Sequence, residues 1–151
     1  MKSLKFSEFY KGKFADEGYE LYFVKDMKEK PIYIGISRDS IWHRWFGGGP
    51  SHMGIKASGK LYGKSYLGEV IARRLPSSWD WIIELWTKED CLDVCKTEFL
   101  GRDRNKIEIE SIEPYMIIKF EPLYNVMHGG GRHEDPTTTE NLDTIYKDLF
   151  G

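Results

Sequence analysis

The sequence predicts an α/β (α+β) domain: a small three-stranded antiparallel sheet flanked by helices, followed by a C-terminal helical extension. Three observations carry this. Residues 19–24 and 31–37 are runs of strand-forming residues separated by a polar segment, 25–30, which is the pattern of a hairpin. Residues 79–86 form a third apolar-aromatic run, Trp-Asp-Trp-Ile-Ile-Glu-Leu-Trp. The segments between and after them carry apolar residues at helical spacing, several behind a short polar side chain that can cap a first turn. The predicted strands are 18–24, 31–37 and 79–86.

Residues 1–17 mix lysines with Leu4, Phe6, Phe9, Tyr10 and Phe14. They show no clean period and read as an arm or short helix packed on the domain. Pro31 suits the first position of a strand, where no ladder donor is needed. Alternation then puts Ile32, Ile34 and Ile36 on one face, with Tyr33, Gly35 and Ser37 on the other. A symmetric turn would oppose Tyr22 to Tyr33, bringing both phenols together on one face. The plainer account of that pair is that it only stabilises the hairpin.

Asp39 or Ser40 can cap a helix beginning at Ile41, because a short side-chain oxygen accepts from the free amides of a first turn. Arg44 lies one turn in, and Gly47-Gly48-Gly49-Pro50 ends that helix. Residues 47–64 are rich in Gly and Lys and read as a mobile loop. Leu67, Val70, Ile71 and Leu75 share one side of a helix over 65–75, stopped by Pro76. Thr87 and Asp90 resemble a capping box, and Leu92, Cys95 and Phe99 extend that helix to Gly101.

Residues 107–120 are apolar at helical spacing but contain Pro114. Either Ser111 caps a new helix with Glu113 and Pro114 in its first turn, where proline costs little, or one longer helix is kinked at Pro114. Thr137 and Glu140 make a capping box for a last helix, 138–150, with the stripe Leu142, Ile145, Tyr146, Leu149 and Phe150. That stripe must dock on this domain or on a partner, which makes it a candidate homodimer contact.

The 151 residues suit a single domain, with a core over about 18–126, an arm over 1–17 and an extension over 127–151. The absence of any apolar run of membrane-span length, and of a signal-peptide core at the N-terminus, leads us to expect a soluble, cytoplasmic protein with no membrane partner. Two cysteines do not make a disulfide framework. The formal net charge is −2, yet residues 38–74 hold seven cations (Arg38, Arg44, Lys56, Lys60, Lys64, Arg73 and Arg74) against Asp39 and Glu69. That basic middle suits a phosphate-facing surface, and it equally suits a solvated charge cluster.

The hairpin, the arginine after it and a late Glu-Pro-Asn segment together resemble the GIY-YIG nuclease family. The second motif is intact as Tyr33-Ile34-Gly35. In the first, Glu20-Leu21-Tyr22 stands where Gly-Ile-Tyr would be, so only Tyr22 is kept, eleven positions before Tyr33. Ser40-Ile41-Trp42-His43-Arg44-Trp45 matches the family's Ser-Leu-x-x-Arg-Trp. Glu113, Ile117-Ile118 and Pro122-Leu123-Tyr124-Asn125 match its later Glu, Leu-Ile and Pro-x-Tyr-Asn.

The resemblance covers roughly 18–125 and implies a metal-dependent DNA endonuclease, a hydrolase of phosphodiester bonds using Mg²⁺ or Mn²⁺. It assigns Tyr22, Tyr33, Arg44 and Glu113 as catalytic, with Glu113 as the metal ligand. Gly35, His43, His52 and Asn125 would support them, and Arg38, Lys56, Lys60, Lys64, Arg73 and Arg74 would contact DNA. The residue types suit the chemistry. An arginine is a permanently charged fork matched to phosphate oxygens. One carboxylate suits a magnesium site completed by water and substrate. A free tyrosine titrates near pH 10, so Tyr22 would need Arg44 or the metal to act as a base.

There are departures from the pattern. Gly48 stands where the family often has histidine, leaving His43 and His52 as substitutes. Ile36 takes a position that is lysine in some branches. Residues 87–111 exceed the family's usual link and suit a substrate-selecting insertion. Glu110 is the alternative ligand if the helix runs through Pro114. A catalytically inactive nucleic-acid-binding or protein-interaction domain is the alternative function. Cys91, Cys95, His128 and His133 have spacings that would suit a separate zinc site, although the cysteines also fit a helix core face.

Overall fold

A computed structural model describes residues 1–12 and 18–125. Within them the order is β1 (Lys2–Lys5), α1 (Phe6–Gly12), β2 (Leu21–Lys25), β3 (Pro31–Ile36), α2 (Ile41–Phe46), β4 (Met53–Ile55), β5 (Leu61–Gly63), α3 (Tyr66–Arg73), β6 (Ile82–Trp86), α4 (Lys88–Val94) and α5 (Ile109–Phe120). The fold is mixed α+β with antiparallel sheets. None of these helices is long and apolar enough to cross a membrane.

The main sheet has four strands rather than three, in the order β1-β6-β2-β3. The extra strand comes from the N-terminal arm: β1 pairs with β6, from Lys2 opposite Leu85 to Lys5 opposite Ile82. Lys-Ser-Leu-Lys carries little apolar signal because it is a short edge strand with mostly exposed side chains. Lysines on such an edge discourage pairing with other chains. Directly after it, α1 buries Phe6 and Phe9 completely.

Helices cover both faces of the sheet. On one face Tyr22, Val24, Ile83 and Leu85 pack with Phe6, Trp45 and Ile71, which come from α1, α2 and α3. On the other, Leu21, Phe23 and Ile34 pack with Cys91 and Leu92 of α4 and with Ile112, Met116 and Ile117 of α5.

Several local expectations are corrected. The register opposes Tyr22 to Gly35 and Val24 to Tyr33, so the two tyrosines are diagonal neighbours rather than a direct pair. They share a face, with rings stacked at 6.1 Å between centroids. A bulge follows, because Lys25 opposes Pro31. It breaks the alternation, so Ile32 packs in one core and Ile34 in the other. Residues 47–64 are not simply a loop: β4 and β5 pair as a two-stranded ribbon that buries Met53 and Leu61.

Helix α4 stops at Val94, not Gly101. The chain then turns, letting Phe99 pack edge-on against Tyr115 of α5 at 5.2 Å. Helix α5 starts at Ile109 and runs through Pro114, so Ser111 lies inside it and Glu108 takes the N-cap position without a side-chain bond. Burial of Ile109 and Ile112, at about 1.5–3 kcal/mol each, offsets a proline cost of about 3 kcal/mol. The stripe on 138–150, with the homodimer contact expected of it, lies outside the described residues, as do His128 and His133.

Candidate functional site

The site is built around Tyr22, in the middle of β2. Its ring lies over the backbone of β3 at Gly35. A Cβ added at Gly35 would run into the ring, so glycine is what permits the approach. Tyr22 is 1% exposed. Its hydroxyl is 2.7 Å from His52 Nε2, and His52 Nδ1 is 2.7 Å from Ser65 Oγ. Ser65 in turn caps α3, accepting from the amide of Gly68 at 3.0 Å. The His52 amide donates to the carbonyl of Arg44 at 2.9 Å, tying the histidine to the end of α2. Trp45 packs on the His52 ring at 4.5 Å.

Arg44 approaches this chain from α2, and its guanidinium lies near enough to the Tyr22 phenol to oppose the rise in its pKa. It projects one turn into a helix capped by Ser40, whose side chain accepts from the His43 amide. Glu113 comes from the opposite layer, on α5, and lies within electrostatic reach of both Tyr22 and Tyr33. Arg44, Tyr33 and Glu113 are half-buried, whereas Tyr22 and His52 form a buried floor. The four residues assigned as catalytic are therefore brought together, on both sides of strand β3.

Burial dominates the electrostatics. It raises the Tyr22 phenol well above 10, with Tyr33 and Glu113 adding to the rise and Arg44 opposing it. Tyr33 is raised by burial and then by Glu113, again against Arg44. His52 falls to about 3, first from burial and then from the Arg44 charge. At neutral pH the site thus holds two protonated phenols and a neutral imidazole beside one permanent cation. Hydrogen bonding along Tyr22, His52 and Ser65 is compatible with the imidazole proton on either nitrogen.

Asn125 acts on the edge strand. Its Oδ1 accepts from the Ile34 amide at 2.8 Å, and its Nδ2 donates to the Ile34 carbonyl at 2.7 Å. Both groups would otherwise face outward from the last strand of the sheet. His43 is exposed against Trp42 and does not join the cluster. Glu110 is held in an exposed ion pair by Arg38, which also reaches Glu108 at 3.3 Å. That pairing keeps the Glu110 carboxyl below its usual range. Although the helix does run through, it is Glu113, not Glu110, that bears on the phenols.

The remaining basic candidates are dispersed. Lys56, Lys60 and Lys64 are exposed on and beside the β4–β5 ribbon. Arg73 pairs with Glu69 one turn back at 2.8 Å, and Arg74 caps the same helix. Cys91 and Cys95 are fully buried in the second core, where burial pushes both thiols up. Among the described residues no group of three His, Cys, Asp or Glu is arranged to hold a metal. The donor set at Glu113 fits a hard divalent cation held by one carboxylate, water and a substrate oxygen, not an all-protein cage.

Sequence reasoning missed Ser65, which it treated as an ordinary helix start. It also had no basis for preferring His52 to His43. The usable signal was the His52–Ser65 separation, which brackets a ribbon once 53–55 and 61–63 are recognised as strands. Compared with known proteins, the chain matches no family model, no curated protein and no solved structure at a significant level.

Proposed function

We propose that the chain is a metal-dependent DNA endonuclease of the GIY-YIG type. The observation that carries this reading is the convergence of Tyr22, Tyr33, Arg44 and Glu113 across β3, from positions spread over most of the described chain. The roles follow from chemistry and exposure. Arg44 is half-buried and permanently charged, suited to neutralise a phosphate entering from the open side. Tyr33, protonated and half-buried, donates a hydrogen bond to a phosphate oxygen or to the attacking water. Tyr22 is a buried phenol with a raised pKa, so in the resting site it orients its neighbours and does not take a proton. The neutral imidazole of His52 completes that hydrogen-bonded floor. Glu113 would hold Mg²⁺ or Mn²⁺, which supplies charge neutralisation and lowers the pKa of bound water. Lys56, Lys60 and Lys64, with Arg38, Arg73 and Arg74, supply a salt-sensitive attraction for the phosphate backbone.

The second reading is a binding domain without catalysis. The burial of Tyr22 and the degenerate Glu20-Leu21-Tyr22 motif favour it. Incubation of purified protein with supercoiled plasmid and Mg²⁺ separates the two. The wild type nicks or linearises the plasmid, and Arg44→Ala and Glu113→Ala each slow the reaction by roughly 10²–10³-fold. Undiminished cleavage in both variants would overturn the assignment. Binding by the wild type without any cleavage would establish the second reading.

A further inference from the structure

The β4–β5 ribbon carries a surface that the catalytic cluster does not use. Its register opposes Gly54 to Tyr62. A Cβ at Gly54 would overlap the Tyr62 ring, so the ring lies flat across the neighbouring strand. Its inner side rests on glycine, and the residue stays 40% exposed. Met53 and Leu61 point to the opposite, buried face, so the ribbon is anchored from beneath. Lys56, Lys60 and Lys64 are all exposed around the tyrosine. The Lys64 ammonium also bonds the Gly49 carbonyl at 2.5 Å and Ser51 Oγ at 3.1 Å, which pins the foot of the ribbon. That foot is the catalytic floor itself: β4 begins directly after His52, and β5 ends just before Lys64 and Ser65.

We infer that Tyr62 is a stacking platform for an unpaired base, with Lys56 and Lys60 taking the adjacent phosphates. The ribbon then selects single-stranded nucleic acid beside the site. A flat ring with one face on glycine and the other open accepts the π-face of any base. Flanking ammonium groups supply the complementary charge. A duplex keeps its base faces stacked and offers the ring nothing comparable. Covering Gly54 explains why a large side chain lies there. It does not explain the exposed lysines that flank it. The inference rests on the nuclease reading only for the place of the scissile phosphate.

The test is fluorescence anisotropy with a labelled oligothymidine and a labelled duplex, in EDTA so that nothing is cut. Wild type, Tyr62→Phe and Tyr62→Leu are compared, leucine covering Gly54 without an aromatic face. We expect wild type and Tyr62→Phe to bind oligothymidine alike. Tyr62→Leu should lose roughly 5- to 150-fold, with duplex affinity unchanged. Unchanged oligothymidine affinity in Tyr62→Leu, or an equal loss on both probes, overturns the platform. A lysine pair variant, Lys56→Gln with Lys60→Gln, keeps the ring. It should weaken oligothymidine binding and flatten its salt dependence, and no change in either would also overturn the inference. Because binding is read without a divalent cation, failure of the nuclease reading leaves this result intact. Wild-type plasmid cleavage together with unchanged oligothymidine affinity in Tyr62→Leu removes the platform and keeps the nuclease.

Discussion

His52 is 2% exposed, and its imidazole resists protonation down to about pH 3. In the unfolded chain the same group titrates near 6.5, so between those values the unfolded state binds the extra proton. Stability therefore rises with pH across that window and is lost as pH falls below about 6.5, by at most about 1.4 kcal/mol per pH unit. We expect His52→Gln to flatten the acid limb: urea midpoints measured from pH 4 to 7 should fall less steeply for the variant than for the wild type. Equal slopes would place the acid sensitivity elsewhere. Such a residue is hard to read from sequence. His43 adjoins Arg44 in the chain, and His52 lies eight positions away. Proximity in space is set by the ribbon and by the His52–Arg44 backbone bond. The tyrosines were easier, because period-two alternation already puts Tyr22 and Tyr33 on one face. The observed register, Tyr22 opposite Gly35 and Val24 opposite Tyr33, is two residues from the symmetric one, so the pair becomes diagonal without leaving that face.

Among the elements, β3 holds the site together. It is an edge strand, and its outward groups at Ile34 are satisfied by one side chain, Asn125, rather than by another strand. Removing that amide leaves a buried donor and a buried acceptor, each costing about 1–3 kcal/mol. Asn125→Ala is thus expected to destabilise the protein by about 2–6 kcal/mol, measured by urea unfolding, whereas Asn125→Asp should retain the bond from the Ile34 amide. Strands β2, β3 and β6 were legible within a few residues because β2 and β6 bury most of their length and β3 buries half of its own. Strands β4 and β5 are three residues each and hide among glycines and lysines, so they read as loop. Helix α5 was legible in position but not in its start. A proline rule based on local cost favoured a break at Ser111, and burial of Ile109 and Ile112 overrode it.

At the scale of the whole molecule, the arm is part of the core. Phe6 and Phe9 are wholly buried, and Phe6 meets Trp45 edge-on at 5.1 Å, one residue from Arg44. Phe6→Ala is expected to cost about 3–5 kcal/mol in urea unfolding. A loss below about 1 kcal/mol would show that the arm is dispensable. The sequence indicated two sides to the sheet but not that β1 closes one edge, since four mostly exposed residues leave no pattern to find. Chain order also governs the order in which the candidate site can exist. Tyr22, Tyr33, Arg44, His52 and Ser65 all precede position 66, whereas Glu113 and Asn125 follow position 112. On the ribosome, the cationic half of the site is made first and waits for its carboxylate and for the amide that closes the edge. A chain halted between those positions carries both tyrosines, the arginine and the histidine without Glu113 and without the amide that braces β3.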